Sequence, residues 1–458
     1  MSIMKCFGKD IEMTRKRHGY GKYYKEKYEK GAKKMEKKIT TVVLGCGDRA
    51  TVYCEEGVLN AKKMEIVAAI DPDPERLRYM QEHFGVAEEK CYHDMQDVLA
   101  QGRIADCVIN GTMDQIHIKT AIPFLEQGYH MLMEKPITNN KEDLLKIRDT
   151  ANENHCDLMI CHVLRYAPFY RKAREIIDSG VLGEIMNIQT AERVGAFHSS
   201  VAFLRGKWAD CGSSLLLAKC CHDIDLLCWL NSKTVPATVY SNGGRNYFVP
   251  KKAPKGAGTR CLVDCPEEVR KNCIYDVQSM YLDNCQLPWY PWQCTGKNWQ
   301  DVTDEEKVES LKTYNPHGRC VYKCEQVIVD HQNVSITFED GSTAIHTLNL
   351  GAQHAGRHLW IQGTKGELEG EAADGILTLY EYDKKTSEYK KTEFNFNETS
   401  GETNGHFGGD RRLINDFCDL IEGKQPSVSC TSINDSVWGH LTCYAGDKSQ
   451  ETGEVCSV

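Results

Sequence analysis

Short apolar runs alternate with amphipathic stretches between residues 39 and 163, and this alternation leaves few folds open to the chain. The runs have the length of strands buried on both faces, and the stretches between them are long enough for helices of about three turns. The predicted strands are 39–45, 65–71, 106–111, 129–133 and 158–163, and the predicted helices are 49–60, 74–84, 116–127 and 141–154. Because alternating strands and helices form βαβ units, we predict an α/β domain with a parallel sheet.

The pattern changes near residue 185, where strands begin to follow one another. Turns such as 339–341 and 364–366 separate these strands, which predicts an α+β domain on a mostly antiparallel sheet. The predicted strands are 184–194, 327–338, 342–350, 359–363 and 376–382, and the predicted helices are 214–230, 411–421 and 432–449. The predicted domains are therefore 39–163 and 164–458, and residues 243–326, rich in Pro, Gly, Cys and Trp, are predicted to be an insertion.

A basic extension precedes the first domain. Residues 1–38 carry 13 Lys/Arg and 5 Asp/Glu, a net charge of +8, which leaves −17 on the rest of the chain. An acidic body argues against nucleic acid as the main partner. The extension itself is interpreted as a solvated segment, with contact to RNA or acidic lipid as the alternatives. It lacks an apolar core, so we do not expect a secretory signal, and no apolar run is long enough for a membrane helix.

A glycine-rich turn follows the first predicted strand. Gly45 permits a tight turn, Gly47 lets the backbone approach a pyrophosphate, and Ala50 lets the helix pack on the strand. Asp71 ends the second strand, where a carboxylate can bind the ribose hydroxyls of NAD and repel the extra phosphate of NADP. We therefore predict a Rossmann domain that prefers NAD. The predicted cofactor residues of this region are Gly45, Cys46, Gly47, Asp48, Arg49, Asp71 and Arg76.

Two further motifs have the residue types of an acid–base site. Glu134-Lys135-Pro136 lies at the carboxyl end of a predicted central strand, the edge where ligands bind in open α/β sheets. There Lys135 can assist proton transfer from a hydroxyl, although a surface lysine would fit the local sequence as well. His222-Asp223 lies in an apolar predicted helix, where a histidine is often a core residue instead of a base.

Together these motifs resemble the glucose–fructose oxidoreductase/inositol dehydrogenase/MocA (Gfo/Idh/MocA) family. The resemblance covers residues 39–240 well and 327–449 more loosely, and it implies a Rossmann domain followed by a large open-faced antiparallel sheet. It also implies that Lys135 and His222 are the catalytic pair. This chain departs from many members at Ala218, where they carry an aspartate, and the neighbouring Lys219 is a hypothetical third catalytic residue.

Other candidate residues follow by position or by resemblance. Arg165 is equally well interpreted as a structural ion-pair partner, and Asp410 as a helix cap in a plain loop. The remaining predicted cofactor contacts are Thr112, His117, Glu134, Lys135 and Arg165. The predicted substrate contacts are Lys135, His162, Tyr166, Asp223, His406 and Asp410.

The insertion concentrates cysteines on loops. Cys261-x3-Cys265-x7-Cys273 is followed by Cys320 and Cys324, and short-spaced thiolates on loops are typical of zinc or iron–sulfur sites. Cys261, Cys265, Cys273 and Cys320 are the predicted ligands of a structural metal, with Cys324 as the alternate. Reduced buried thiols and disulfides are the competing interpretations.

The predicted reaction is reversible hydride transfer between NAD and a hydroxyl carbon of a sugar or glycoside, with C3 of a glycoside as one candidate position. A glycoside or oligosaccharide is the first choice because of the cysteine-rich insertion and the His406–Asp410 segment. Trp289, Trp292 and Trp299 of the insertion can stack on sugar rings, although core packing fits them equally. The alternatives are a cyclitol dehydrogenase, an imine reductase, and a non-catalytic NAD sensor or scaffold. We expect a cytoplasmic homo-oligomer, a dimer or tetramer joined through the open sheet face, with no nucleic-acid or membrane partner.

Overall fold

A computed structural model describes residues 38–210, 212–325, 328–397, 406 and 408–458. Within these residues the chain forms two compact units. The first contains residues 38–137, 144–167 and the described part of 403–434, and the second contains 138–143, 168–397 and 435–458. The predicted basic extension lies outside the described residues except for Lys38.

The first unit is built on a six-stranded parallel sheet, so the predicted α/β fold is confirmed. The strands are β1 (Ile39–Leu44), β2 (Met64–Ile70), β3 (Cys91–Tyr92), β4 (Cys107–Asn110), β5 (His130–Met133) and β6 (Leu158–Ile160), in the order β3-β2-β1-β4-β5-β6. The main helices are Asp48–Cys54 with a π-helical extension Glu55–Asn60, Pro74–Phe84, Met95–Leu99, His117–Glu126, Lys141–Glu153 and Gly409–Ile421. The strand order reverses between β1 and β4, which is the switch point where ligands bind in such sheets.

The helix Gly409–Ile421 belongs to the first unit, whereas the sequence pattern places it in the predicted second domain, 164–458. Its apolar face, which includes Leu413 and Phe417, packs in one core cluster with Tyr53, Val163 and Tyr166. The apolar period predicts an amphipathic helix correctly, but it does not say which sheet the helix covers.

The second unit is built on a nine-stranded sheet, and the predicted mostly antiparallel sheet is confirmed. Among the described strands of this sheet, only the central pair β7–β10 is parallel. The strands are β7 (Ile185–Gly195), β8 (Pro236–Gly244), β9 (His331–Phe338), β10 (Thr343–Ala352), β11 (Gly356–Gly363), β12 (Gly366–Glu371), β13 (Ile376–Asp383), β14 (Glu388–Asn395) and β15 (Cys456–Ser457). Their order is β14-β13-β12-β11-β7-β10-β9-β8-β15. The helix Leu215–Leu230 lies on β7 and β10, so it buries one face of the nine-stranded sheet. Alternate residues such as Ser335 of β9 are exposed on the other face of the sheet.

The predicted insertion leaves the sheet between two paired strands. β8 and β9 run antiparallel from the Pro236–Phe338 pair to the Gly244–His331 pair, and residues 245–330 extend from that end. The carboxylate of Asp330 closes the base, because it accepts the backbone N–H groups of residues 246, 247 and 248. The described residues of the insertion form short helices: Pro250–Lys252, Glu267–Arg270, Gln278–Asp283, Trp289–Trp292, Gln293–Thr295, Trp299–Asp301, Asp304–Lys312 and Pro316–Gly318.

The longest described helix, Ile433–Thr452, has 20 residues. It carries Asp435, Asp447, Lys448 and Glu451, charges that a membrane-spanning helix rarely contains. In the part of the chain that the structure describes, no helix combines the length and apolarity needed to cross a membrane.

Candidate active site

The turn after β1 requires glycine at its first position. Gly45 has φ +81°, and a Cβ there would lie 2.8 Å from the backbone nitrogen of Thr112. Gly111, at the end of β4, is equally constrained, since a Cβ would lie 2.8 Å from the Cβ of Ala50. Close contact between the turn, the first helix and β4 therefore excludes side chains at Gly45 and Gly111 and limits Ala50 to a methyl group.

Gly47 has no such constraint from the protein. It is the residue before the helix Asp48–Cys54, its backbone is extended, and a Cβ at this position would meet only Arg76 Nη1, at 3.9 Å. The fold therefore leaves space in front of the helix N-terminus, where a bound phosphate group can approach the backbone N–H groups. Cys46 and Asp48 flank this glycine, and the Cys46 thiol points inward, where burial and the charge of Asp71 raise its pKa to about 12.

Asp71 braces the glycine turn. Its buried carboxylate accepts the N–H of Cys46 through Oδ2 at 2.8 Å and the N–H of Asp73 through Oδ1 at 2.9 Å. Arg76 Nη1 lies 3.4 Å from Oδ2, and the Arg76 side chain is 51% exposed. Asp71 thus has a structural role in the turn besides the predicted contact with ribose, and Arg76 is the cation at the rim beside it.

Glu134 holds the backbone of Lys135 at the end of β5. Its Oε2 accepts the N–H of Lys135 at 3.0 Å, while Oε1 accepts Tyr53 Oη at 2.6 Å and Arg49 Nε at 3.2 Å. The Lys135–Pro136 peptide bond is cis, and the Lys135 side chain is half-buried. The predicted catalytic lysine therefore lies at the carboxyl edge of the parallel sheet, with its main chain fixed by a buried carboxylate.

The predicted substrate residues His406 and Asp410 lie in the same network. Arg49 Nη2 donates to Asp410 Oδ1, and His406 Nδ1 lies 3.0 Å from Asp410 Oδ2. Although burial opposes ionisation, the hydrogen bond with His406 and the charge of Arg49 lower the pKa of Asp410 to about 2. The Arg49 side chain is thus paired with two carboxylates. Its predicted contact with the cofactor would therefore come from its backbone N–H group.

His117 and Thr112 connect the loop after β4 to the segment after Lys135. His117 Nδ1 lies 3.0 Å from the carbonyl oxygen of Pro136, and its Nε2 lies 3.0 Å from the carbonyl oxygen of Thr112. Burial lowers the pKa of His117, which favours the neutral ring. Since this ring is fully buried and bound by protein carbonyls, the structure favours a positioning role over the predicted contact with a cofactor.

Three candidates after β6 are buried. Burial lowers the pKa of His162 well below its ordinary value, and the charges of Arg165 and Lys135 lower it further. Arg165 donates to the carbonyl oxygen of Cys430 at 3.2 Å. Tyr166 donates to Asp416 Oδ2 at 2.8 Å within the core cluster, so its hydroxyl faces the helix Gly409–Ile421 instead of a substrate.

In the second unit His222 lies on the helix Leu215–Leu230, as predicted. Ser214 begins this helix by accepting the N–H of Leu217 and donates in turn to Asp447. The His222 side chain is buried at 8% exposure. Ala218, one turn earlier, is buried as well, so the position where many family members carry a carboxylate is occupied by a methyl group.

Lys219 and Asp223 belong to a buried ion network. Lys219 Nζ lies 3.1 Å from Glu192 Oε1, and Arg357 Nε lies 2.6 Å from Glu192 Oε2 and 2.8 Å from Asp223 Oδ1. The two acids thus balance the two cations. This placement gives Lys219 and Asp223 protein partners, and it favours structural roles over the predicted catalytic and substrate-binding ones.

Sequence reasoning missed Glu192, Arg357 and Tyr53. Glu192 occupies an inward position of β7, between the buried Thr190 and Val194, so a charge at a buried position of an alternating strand was the available signal. Tyr53 follows Arg49 by four residues, which places both on one helix face. No local pattern marks Arg357, because it enters the network by pairing with β7 across the sheet.

A group of three potential metal ligands lies beside this network. A thiol sulfur of Cys220, a carboxylate oxygen of Asp223 and a ring nitrogen of His346 lie within 4.8 Å of one another, and all three residues are buried. Asp223 already pairs with Arg357, and His346 Nδ1 lies 2.9 Å from Thr190 Oγ1. A metal ion there would face the Arg357 guanidinium, so charge repulsion disfavours it.

The predicted metal cysteines of the insertion come together. Cys261, Cys265, Cys273 and Cys320 all line one small cavity, while the alternate, Cys324, is buried nearby. Of the tryptophans, Trp292 is buried at 2% exposure, which supports core packing over sugar stacking, whereas Trp299 is exposed.

Comparison with known proteins matches both units to one family. The oxidoreductase family, NAD-binding Rossmann fold, matches residues 39–162, and the GFO/IDH/MocA C-terminal domain matches residues 170–257. The putative oxidoreductase YteT of Bacillus subtilis is 22% identical over 396 residues, which cover 82% of this chain and 89% of YteT. An inositol 2-dehydrogenase of Corynebacterium glutamicum is 24% identical over 205 residues, covering 44% of this chain and 56% of that enzyme.

Solved structures share the fold at low sequence identity. The WlbA dehydrogenase from Bordetella pertussis, solved with NADH and UDP-GlcNAcA, matches with a TM-score of 0.63 and 16% identity, covering 93% of this chain and 99% of WlbA. At this identity the likeness concerns the fold alone. The glycine turn, the lysine at the end of β5 and the order of the two matched domains agree with it. The chain therefore belongs to the GFO/IDH/MocA family of NAD-binding oxidoreductases.

Proposed function

We propose that the protein transfers hydride between NAD and a hydroxyl carbon of a sugar or glycoside. The observation that carries this proposal is the placement of Lys135, whose main chain is fixed by Glu134 at the carboxyl end of β5. β5 neighbours β4, which borders the switch point of the sheet, where dinucleotides bind in this fold. A half-buried lysine at that edge is suited to proton transfer next to a reacting carbon.

The reaction oxidises a secondary alcohol to a ketone. The hydride leaves the carbinol carbon for C4 of the nicotinamide, and the hydroxyl proton leaves to a base, so NAD⁺ becomes NADH and one proton is released. Lys135 and His222 are the proposed acid–base pair, one accepting the proton and the other stabilising the developing oxyanion. We propose Lys219 and Asp223 as residues that position this chemistry through the Glu192–Arg357 network.

We propose a preference for NAD over NADP. The buried Asp71 carboxylate at the end of β2 disfavours an added phosphate, while the exposed Arg76 beside it moderates that effect. Arg76→Ala is therefore expected to lower any residual NADP affinity more than NAD affinity, as measured by calorimetry with each dinucleotide. Equal losses for both would contradict a role for Arg76 at the phosphate position.

A sugar-type substrate is supported by the residues near the first helix and by the relatives. His406 is partly exposed beside Asp410, and an imidazole can bind sugar hydroxyls, so we propose His406 as a substrate contact that Asp410 orients. WlbA holds a sugar nucleotide together with NADH. The inositol 2-dehydrogenase relative supports a cyclitol as the second candidate substrate.

The test is hydride exchange on the purified full chain with a panel of sugars, glycosides and cyclitols. We expect NAD reduction with at least one glycoside or sugar, and Lys135→Met is expected to lower kcat by about 10³-fold while leaving the Kd for NAD within about threefold. Lys141→Met, at the first residue of the helix Lys141–Glu153, is the matched control. NAD binding without turnover on any compound would favour the sensor or scaffold alternative, and turnover confined to cyclitols would favour the second candidate.

We also propose that the protein is a cytoplasmic homo-oligomer joined through the exposed face of the nine-stranded sheet. Ile345 and Tyr240 are large apolar residues exposed on β10 and β8, and both lie on the face opposite the helix Leu215–Leu230. Buried cysteines on strands and helices, such as Cys107 and Cys228, fit a reducing compartment.

A further inference from the structure

The cavity lined by cysteines lies within the insertion, and the proposed hydride transfer makes no use of it. Its walls include three cysteines from residues 261–273 and a fourth from residue 320, together with two arginines and an aspartate. Cys261 and Cys320 are buried, and Cys265 and Cys273 are half-buried. The four thiols and their charged neighbours are Cys261, Cys265, Cys273, Cys320, Arg205, Arg270 and Asp276.

Cross-connected loops present these thiols. Arg260 and Arg319 form an isolated antiparallel bridge, in which Cys261 N donates to the Gly318 carbonyl oxygen and Cys320 N donates to the Thr259 carbonyl oxygen. Asp264, between Cys261 and Cys265, accepts the N–H groups of Thr259 and Arg260 at 2.8 and 2.7 Å. The backbone on both sides of the cavity is therefore fixed by hydrogen bonds that do not involve the thiols.

The cavity wall contains a cation in need of a counter-charge. Arg205 is 1% exposed, and its hydrogen-bond partners include Ser200 Oγ, Tyr281 Oη and the carbonyl oxygens of residues 275 and 319, all of them neutral. Its Nη2 also lies 3.8 Å from Cys261 Sγ. A buried guanidinium is costly without a negative partner. Thiolates at this cavity would supply that charge.

A bound metal ion would supply these thiolates, because it deprotonates its thiol ligands outright. The cavity volume is about 10 Å³, close to the space that one water-sized group occupies, which fits a single ion better than a multi-iron cluster.

We propose that Cys261, Cys265, Cys273 and Cys320 bind one structural Zn²⁺ ion as thiolates, and that Arg205 balances part of the charge of the site. Arg270, on the same wall, already pairs with Asp276 at 3.6 Å. Four thiols bind one Zn²⁺ and release four protons, which leaves a ZnS₄ group of charge −2 facing the Arg205 guanidinium. Tetrahedral thiolate ligation is the preferred geometry of structural zinc, and the four residues contain no imidazole or open position for a catalytic water. The ion joins the loop of residues 259–273 to the loop around residue 320.

The structure also predicts a movement on binding. In the described part of the chain no three of these sulfur atoms lie within 4.8 Å of one another. Zinc–sulfur bonds of about 2.3 Å place the sulfur atoms about 3.8 Å apart, so binding has to draw the four thiols closer together. Zinc is therefore expected to stiffen the insertion and to raise the unfolding temperature.

The experiment is metal and sulfide analysis of the full chain, purified without oxygen and without chelators. We expect about one zinc per chain and no inorganic sulfide. Cys261→Ser and Cys320→Ser are expected to lose the zinc, whereas Cys294→Ser, at an exposed cysteine that does not line the cavity, is expected to keep it. Because the two ligand variants could misfold, zinc removal from the wild-type protein by a chelator is measured as well, with an expected fall in Tm of about 5 °C or more that added zinc reverses.

The outcomes separate this proposal from its competitors and from the proposed function. Less than about 0.2 metal per chain, with the thiols reacting as free or as disulfides, would overturn it. Iron with an equivalent amount of sulfide would overturn the assignment to a single zinc ion. Zinc bound equally by the Cys294→Ser and Cys261→Ser proteins would show that these four residues are not the ligands. None of these results depends on NAD binding or on turnover.

Discussion

Two glycines of the turn after β1 are subject to different constraints, and this difference can be measured. Gly45 has a positive φ and backbone atoms of neighbouring residues where a Cβ would be, so Gly45→Ala is expected to destabilise the protein by about 2–4 kcal/mol. Gly47 has open space, so Gly47→Ala is expected to cost less than about 1 kcal/mol but to weaken NAD binding at least about tenfold. Thermal unfolding and NAD calorimetry measure the two effects, and equal destabilisation by both changes would contradict the assignment.

Lys219 provides a second test at single residues. Because Lys219 pairs with buried Glu192, Lys219→Met is expected to lower stability by about 1–3 kcal/mol and kcat by less than about tenfold. Lys219→Arg, which can keep the ion pair, is expected to restore most of the stability. A fall in kcat of more than about a hundredfold with an unchanged Tm would instead support the direct catalytic role that the sequence suggested.

The sequence predicted individual site residues best where backbone geometry sets the residue type. The spacing of Gly45, Gly47 and Ala50 identified the turn, because tight packing and ligand approach each restrict side-chain size. The sequence was less informative for Tyr166 and His117, which lie close to the site along the chain but whose side chains point into the protein. Proximity along the chain does not determine side-chain direction, and that direction depends on partners such as Asp416 that are distant in sequence.

Among the elements, the helix Leu215–Leu230 depends on a contact with the helix Ile433–Thr452. Ser214 caps the helix Leu215–Leu230 and donates a hydrogen bond to Asp447 of the helix Ile433–Thr452. Burial raises the pKa of Asp447 to about 6, while Ser214 opposes this rise. A raised folded-state pKa means that the stability linked to protonated Asp447 is complete below about pH 4 and is lost as the pH rises through about 6.

Asp447→Asn is therefore expected to be more stable than the wild type at pH 8, by about 1–2 kcal/mol, and to lose this advantage near pH 4. The amide keeps an acceptor for Ser214 while removing the charge. Unfolding of both proteins across this pH range gives the comparison. An advantage that is constant with pH would mean that the charge of Asp447 is not the cause.

Element boundaries were predictable where an element is long and periodic. The parallel strands β1, β2, β4, β5 and β6 begin within one residue of their predicted ranges, and the helix Pro74–Phe84 matches its range. The strands β3, β8, β12, β14 and β15 were missed. The two-residue strand β3 and the charged edge strand β14 have too little apolar alternation to be separated from a loop. The helix Gly409–Ile421 was predicted as a helix but assigned to the other domain, since an apolar face identifies burial and not the partner.

For the whole molecule, the exposed sheet face gives the testable consequence. Ile345→Glu places a charge on the open face of β10. In sedimentation experiments we expect this change to shift the protein from a dimer or tetramer towards a monomer. The Tm is expected to fall by a few degrees at most. Val263→Glu, at an exposed residue of the insertion, is the control and is expected to leave the assembly intact. A monomeric wild type would contradict the proposed interface.

The junction between β8 and β9 offers a place to separate the insertion from the sheet. The two strands remain in register up to Gly244 and His331, so the segment that leaves between them could be exchanged for a short hairpin turn without shifting any other pair of the sheet. Shortened versions of this chain, in which a two-residue turn joins β8 to β9, would be a direct way to ask what the nine-stranded sheet does without the additional segment.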